Sequence, residues 1–345
     1  MNYRLFGKSG LRVSEISLGT MTFGEDWGWG SSKDEARKIY DAYRDAGGNF
    51  IDTANLYTNG TSETFLGEFM RDHRQSVVLA TKYSNAAPGG DANAAGNHRK
   101  SMVQAVEASL RRLETDYIDL YWLHIWDQLT PVEEVMRAFD DLVSQGKVLY
   151  TGVSDAPAWW VAQANTLAEL RGWTPFIGLQ IEYSLLERTV ERELIPMAKA
   201  FNLGLVAWSP LAGGLLSGKY HSGADKDARY TTDMMSNSFK RSGEGPDRVV
   251  AALQKVSQQV GRSAAQVALA WLRNRAIPVI PIIGARRIAQ LQDNLASLEV
   301  NLTPEQLGTL NDASAIELGF PGDFYAKDLV KTFAYGGFRD KILAA

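Results

Sequence analysis

Three residues that can do chemistry stand at the polar ends of apolar runs in this chain. Asp52 closes Asn49-Phe50-Ile51-Asp52, Lys82 closes Val77-Val78-Leu79-Ala80-Thr81-Lys82, and His124 closes Ile118-Asp119-Leu120-Tyr121-Trp122-Leu123-His124. A fourth, Tyr57, follows Asp52 in the same segment. Brought together, they could protonate a carbonyl oxygen. A phenol titrates at about 10 unaided and is a poor donor at neutral pH. A neighbouring ammonium favours phenolate, and a carboxylate keeps that ammonium charged and aimed. An imidazole bonded to the same oxygen would orient it. Blander readings exist for each: an N-cap aspartate, a surface tyrosine, a snorkelling lysine, a histidine satisfied in a core. The repetition of the pattern at several strand ends favours a shared site.

The runs themselves predict the frame. Residues 3–17 hold two alternating segments around Lys8-Ser9-Gly10, which read as a β-hairpin ahead of the main fold. Strands are expected at 16–21, 49–52, 77–82, 118–124, 148–153, 176–180, 204–208 and 277–282. The first helix runs from Ser32, which opens a capping box with Glu35, to about Ala46. Further helices are expected at 62–71, from Pro131 to about 144, and at 101–113, 157–170, 190–201, 248–260, 264–273 and 288–298. Thr303-Pro304-Glu305 starts one more, followed by an aromatic tail from Gly319. The spacing breaks between about Lys219 and Gly245, a polar stretch that reads as a long loop able to close over a ligand.

Eight apolar strands alternating with helices predict an α/β fold, a (β/α)8 TIM barrel forming one domain over residues 1–345, with long loops at its C-terminal face. An open doubly wound sheet is disfavoured, because no Gly-x-Gly-x-x-Gly joins a strand to a helix. In a barrel the chemistry belongs at the C-terminal strand ends, where Asp52, Lys82, His124, Ser154, Asp155 and Gln180 fall.

Composition removes several other functions. A net charge of −4 leaves no basic footprint for nucleic acid. The absence of cysteine excludes thiolate nucleophiles, thiolate metal sites and disulfides. His73, His98, His124 and His221 are scattered without a ligand spacing, so no metal is expected. No signal peptide or membrane-length apolar run is legible, so the expectation is a cytoplasmic protein with a small-molecule partner and an open oligomeric state. The sequons at Asn59 and Asn301 then mean little. Gly213 to Lys219 fits Gly-x-x-x-x-Gly-Lys, but Tyr220 offers no aliphatic hydroxyl for magnesium, which weakens a nucleoside triphosphatase reading.

In the contexts Phe-Ile-Asp-Thr-Ala, Ala-Thr-Lys-Tyr and Asp-Leu-Tyr-Trp-Leu-His, the sequence resembles the aldo-keto reductase family over nearly the whole barrel. Gly-Val-Ser-Asp and Trp208-Ser209-Pro210-Leu211 resemble its aryl-alcohol-dehydrogenase-like branch. The resemblance implies a tetrad of Asp52, Tyr57, Lys82 and His124, with Tyr57 as general acid in reversible, NADPH-dependent reduction of aldehydes and ketones. It also implies a cofactor path that begins at Gly19, Thr20, Met21 and Asp52. Ser154, Asp155 and Gln180 would hold the nicotinamide carboxamide. Many members carry Asn at the place of Asp155, and an ionised acid accepts from the amide but cannot donate to it.

Trp208 would stack on the nicotinamide unless it is barrel packing, while Ser209, Pro210, Leu211, Ala212 and Gly213 wrap the pyrophosphate. Lys219 and Arg229 are candidate phosphate contacts, or else solvated charges. Gly284, Arg286, Gln290, Asp293 and Asn294 would surround the adenosine 2′-phosphate, so that NADH binds more weakly; an ordinary basic helix start is the alternative. Trp27, Trp29, Trp126 and the aromatic tail are candidate substrate contacts, or interface or core aromatics.

Two rival functions fit the same barrel. One is a cofactor-sensing regulatory protein, like the potassium-channel β subunits. The other is a Schiff-base aldolase using Lys82; a carboxylate holding that lysine cationic argues against it, because such a lysine attacks when neutral.

Overall fold

Alternation along the strands decides which side chains enter the barrel. Successive strand residues face opposite ways, so Val78 and Ala80 join an inner cluster with Phe50, Leu120, Trp122, Val206 and Ile280. Leu79, Tyr83 and Tyr121 pack outward under the helices instead. The computed structural model describes residues 1–87, 90–218 and 243–342. Its strands are β1 (Tyr3–Leu5), β2 (Arg12–Ser14), β3 (Ser17–Gly19), β4 (Phe50–Asp52), β5 (Val78–Tyr83), β6 (Ile118–Leu123), β7 (Val148–Ser154), β8 (Phe176–Glu182), β9 (Gly204–Trp208) and β10 (Val279–Gly284). Strands β3 to β10 form a closed parallel barrel in sequential order, with β10 returning to β3. The expected (β/α)8 barrel is therefore the observed fold.

A parallel sheet must be covered on its outer face. The cover consists of α1 (Lys33–Asp45), α2 (Thr61–Met70), α3 (Arg99–Arg112), α4 (Val132–Ser144), α5 (Ala158–Arg171), α6 (Leu194–Ala200), α7 (Glu244–Val260), α8 (Ala264–Arg273), α9 (Ile288–Leu295) and α10 (Pro304–Ala313). Among the described residues no helix is long and apolar enough to cross a membrane.

The antiparallel β1–β2 hairpin closes the N-terminal end of the barrel. Phe6, in its turn, is fully buried and meets Phe50 and Trp122 edge-on at 5.7 and 6.4 Å. Glycine is required beneath that ring: a Cβ at Gly178 or Gly204 would come within 2.6 Å of it.

Three local expectations change. Ser32 caps α1 by accepting from Glu35 N, but the Glu35 carboxylate does not return to close the box. It accepts instead from Ile288 N at 2.8 Å, where α9 begins without a side-chain cap of its own. The helix expected over 190–201 divides into a 3₁₀ turn, Thr189–Glu191, and α6. Pro196 lies in the first turn of α6, where the missing N–H costs no helical bond. The segment 288–298 likewise ends its α-helix at Leu295 and tightens into a 3₁₀ turn, Ala296–Glu299. Lys219, Arg229 and most of the long polar loop lie outside the described residues.

Candidate active site

Lys82 occupies the inward position at the end of β5, fully buried between Asp52 on β4 and the end of β6. Its ammonium meets three acceptors: the Asp52 carboxylate, Thr53 O at 2.8 Å and Tyr57 Oη at 3.1 Å. Three donors are thereby matched, as a buried cation requires. Asp52 is 2% exposed, and its second oxygen accepts from Gln180 Nε2 at 2.9 Å. Burial pushes the Asp52 carboxyl up, against the pull of Lys82. Burial also works against the Lys82 ammonium, but Asp52 and Tyr57 outweigh it and the net direction is upward. The lysine is a cation at neutral pH.

Tyr57 reaches this cation because the loop after β4 is tightly wound. It begins a 3₁₀ turn, Tyr57–Gly60, in which Thr58 and Asn59 adopt left-handed φ of 46° and 56°. Thr58 Oγ1 donates to Phe23 O at 2.6 Å and accepts from Ser62 N at 3.1 Å, which pins the turn between two loops and α2. His124 completes the group. Its ring meets the Tyr57 ring edge-on at 6.0 Å. Burial, and after it the Lys82 charge, hold the imidazole well below the usual histidine range. The four residues expected together are together. A fifth, Asn85, places Nδ2 3.1 Å from His124 Nδ1. Sequence reading missed it; the only signal was its position three residues past Lys82 in Lys-Tyr-Ser-Asn.

A second cluster lies on β7, β8 and β9. Ser154 and Gln180 are cross-strand partners, and Ser154 Oγ is buried without a hydrogen-bond partner. Gln180 has one amide donor engaged by Asp52, so its Oε1 remains the natural acceptor for another amide. Asp155 turns out of β7 with φ 43° and accepts from Trp208 Nε1 at 3.0 Å. Its surface is open to the barrel mouth, yet surrounding protein pushes its carboxyl up to about 6, with the Trp208 bond and Lys82 pulling the other way. Beyond Trp208, residues Ser209, Ala212, Gly213 and Gly214 take φ of 49°, 48°, 64° and 102°. Pro210 and Leu211 lie within this sharply turned backbone, and the Ala212–Ser217 3₁₀ turn follows it.

The β10 end forms a third cluster. Gly284 pairs with Gly19 across the β10–β3 seam, and Thr20 donates to Asp52 O from its N at 3.0 Å and its Oγ1 at 3.3 Å. Met21 follows, half-buried. Thr22 and Ser31 hydroxyls donate to Ala285 O and Arg286 O. Gln290 Oε1 accepts from Arg286 N at 2.8 Å, so it shapes the turn that carries the arginine. Asp293 accepts from Ser263 Oγ and Gln266 Nε2 at 3.1 and 2.7 Å, which ties α9 to α8, and Asn294 is buried beside it.

Aromatic rings border the mouth. Trp27 and Trp29 lie 5.7 Å apart, and Trp27 Nε1 donates to Asn59 Oδ1 beside the Tyr57 turn. Trp126 N donates to Asp155 O at 3.4 Å, and its ring packs on Trp159 and Trp160. The tail forms α11 (Gly322–Ala326) and α12 (Asp328–Tyr335), neither with a buried residue, and Phe320, Phe324, Tyr325, Phe333, Tyr335 and Phe338 are all exposed.

The model of the aldo/keto reductase family matches residues 15–315. The NADP(+) aryl-alcohol dehydrogenase of Phanerodontia chrysosporium is 40% identical over 90% of this chain and 85% of its own length. The putative aryl-alcohol dehydrogenase AAD14 of Saccharomyces cerevisiae is 38% identical, over 93% of this chain and 88% of its own. The norsolorinic acid reductase of Aspergillus flavus is 39% identical, over 93% and 82%. The chain belongs to the aldo/keto reductase family and is an oxidoreductase.

Proposed function

We propose that the protein reduces aldehydes and ketones to alcohols with NADPH, reversibly, and that aryl carbonyls are its preferred class. The observation that carries the reading is the buried Asp52–Lys82 pair set against the Tyr57 hydroxyl. Tyr57 is the general acid. As its proton passes to the carbonyl oxygen, the phenolate left behind lies beside an ammonium that Asp52 and Thr53 keep charged and aimed. His124, edge-on to the Tyr57 ring, orients the same oxygen. A Schiff-base role for Lys82 is disfavoured, since its partners raise its pKa rather than free its lone pair.

The chain's own groups fit the cofactor. Ser154 Oγ is a buried hydroxyl without a partner beside an amide acceptor on Gln180, which suits a carboxamide. Asp155 lies at the same strand end, and Trp208 offers a ring for stacking. The turned backbone of 209–213 suits a pyrophosphate, and Arg286 before the start of α9 suits a 2′-phosphate, with Gly284, Gln290, Asp293 and Asn294 shaping that end. When bound, NADPH supplies the hydride. Trp27, Trp29 and Trp126 give the mouth aromatic walls, and two relatives are named for aryl alcohols.

The test is NADPH oxidation against benzaldehydes, alkyl aldehydes, ketones and aldoses. Aryl aldehydes are expected to turn over fastest. Tyr57→Phe is expected to bind NADPH normally and lose about 10²–10⁴-fold in kcat. Near wild-type turnover in that variant would remove Tyr57 from its role. Slow oxidation with no preference across the panel would favour the cofactor-sensing regulatory reading.

A further inference from the structure

We propose that Asn85 is a positioning residue that fixes which nitrogen of His124 carries the proton, and thereby aims an Nε2–H donor into the site. The proposal rests on the reading of His124 as the group that orients the carbonyl. A neutral imidazole has one N–H and one lone pair, and the two tautomers present opposite faces to a ligand. With Nε2 as an acceptor, a carbonyl oxygen would be repelled; with Nε2–H it is held. Nothing in the Asp52–Tyr57–Lys82 group itself decides between them. The Asn85 amide does. Its Nδ2 can only donate, and it lies 3.1 Å from Nδ1, so Nδ1 must accept and the proton belongs on Nε2. Burial and the Lys82 charge hold the ring neutral at ordinary pH, so the choice of tautomer is a real one there.

The surrounding turn holds Asn85 in this orientation. Ser84 takes a left-handed φ of 93° just past β5. Its hydroxyl accepts from Ile125 N at 3.1 Å and has Ile125 O at 3.2 Å and Asn85 Oδ1 at 3.4 Å as acceptors. The amide oxygen of Asn85 lies on the hydroxyl side and its NH2 on the imidazole side. Asn55 Nδ2 donates to Asn85 O at 3.2 Å and ties the turn to the loop that carries Tyr57. The Ser84–Asn85 pair thus grips the segment just past β6 at two points, the backbone of Ile125 and the ring of His124.

The test is nitrogen-15 NMR of the histidine rings at neutral pH, with a His124→Gln variant to assign the signal among the four histidines of the chain. Wild type is expected in the Nε2–H form. Asn85→Asp places an acceptor opposite Nδ1, so the proton should move to Nδ1 or the ring become charged. Carbonyl kcat should then fall by about 10²-fold, the scale of a lost oxyanion-orienting donor, with NADPH affinity unchanged. Asn85→Ser offers a hydroxyl that can donate or accept, at shorter reach, so it no longer selects a tautomer and should give a mixture with an intermediate rate. Asn85→Ala, should the acidic variant fold poorly, is expected to give mixed tautomers. A wild-type Nδ1–H form, or a tautomer indifferent to all three substitutions, would overturn the proposal. If the tautomer follows Asn85 while kcat does not, the proposal stands and the role of His124 toward the carbonyl fails.

Discussion

The two ends of the barrel are built from the same strands and follow different rules. At the N-terminal end Phe6 fills the floor, seated on Gly178 and Gly204. Several polar groups there bond within the protein, although Arg273 Nε is buried without a partner. Ser14 and Tyr43 hydroxyls lie 2.8 Å apart under β4, and Glu15 takes Asn2 N at 2.9 Å and Arg273 at 2.8 Å. At the C-terminal end a charged pair is buried, a serine hydroxyl has no partner, and an aspartate carboxyl is pushed up to about 6. Backbone strain divides the same way. Of nine non-glycine residues with left-handed φ among the described residues, seven (Thr58, Asn59, Ser84, Gln128, Asp155, Ser209 and Ala212) follow strands; Glu114 and Asn202 follow helices. A single strand serves both ends: β5 gives Val78 to the packed floor and Lys82 to the site. Floor packing and chemistry are thus separated along the barrel axis, so mutations in the floor should cost stability and leave catalysis alone.

The largest expected effect tests the floor. Phe6→Ala should cost about 3–5 kcal/mol of folding stability, read as a lower denaturant midpoint, because the ring leaves a cavity its glycine seats cannot fill. NADPH affinity and kcat per folded molecule should not change; a parallel loss of catalysis would show that the two ends are coupled.

At the mouth, Arg286→Ala should weaken NADPH by about 1.5–3 kcal/mol and leave NADH and the melting temperature nearly unchanged. Arg287, the exposed cap residue one position on, is the control. Equal losses for both cofactors in titrations of the two alanine variants would move the 2′-phosphate elsewhere.

The smallest effect is electrostatic. Burial raises the Asp155 carboxyl from 3.8 to about 6, so the folded state holds a proton that the unfolded chain has released. The stability this adds is full below 3.8 and lost as pH rises through about 6. Asp155→Asn should flatten the stability profile across that window. The change should be under about 1 kcal/mol, since the group is open to solvent and screened. A profile that keeps its slope in the variant would assign the titration to another carboxyl.

Much of this was legible in the sequence. An apolar run ending in Asp, Lys or His announces a strand end that faces inward, because parity leaves nowhere else for the last residue to point. That reading reached Asp52, Lys82, His124, Ser154 and Gln180, with Tyr57 as the phenol just past Asp52, and the resemblance gave the tetrad its roles. Contacts made across two loops were not legible. Asn85 is an ordinary loop residue until the fold sets it against His124. Glu35 sits at the right spacing for its own helix cap and goes to Ile288 instead, because tertiary proximity outbids a local bond. Gln290 and Asp293 were read by resemblance as ligand contacts, and the structure shows what else they hold: the Arg286 turn and the α8–α9 contact.

The central claim is that Tyr57 and Lys82 act as one proton-donating unit. The most direct measurement is kcat for Tyr57→Phe, Lys82→Met and the double variant, taken per folded molecule, since a lone buried Asp52 will lower stability by about 3–5 kcal/mol. Residues that act together do not add. The account predicts a double variant no more than a few-fold slower than the slower single. Losses that multiply in full would contradict it and give Lys82 a separate task.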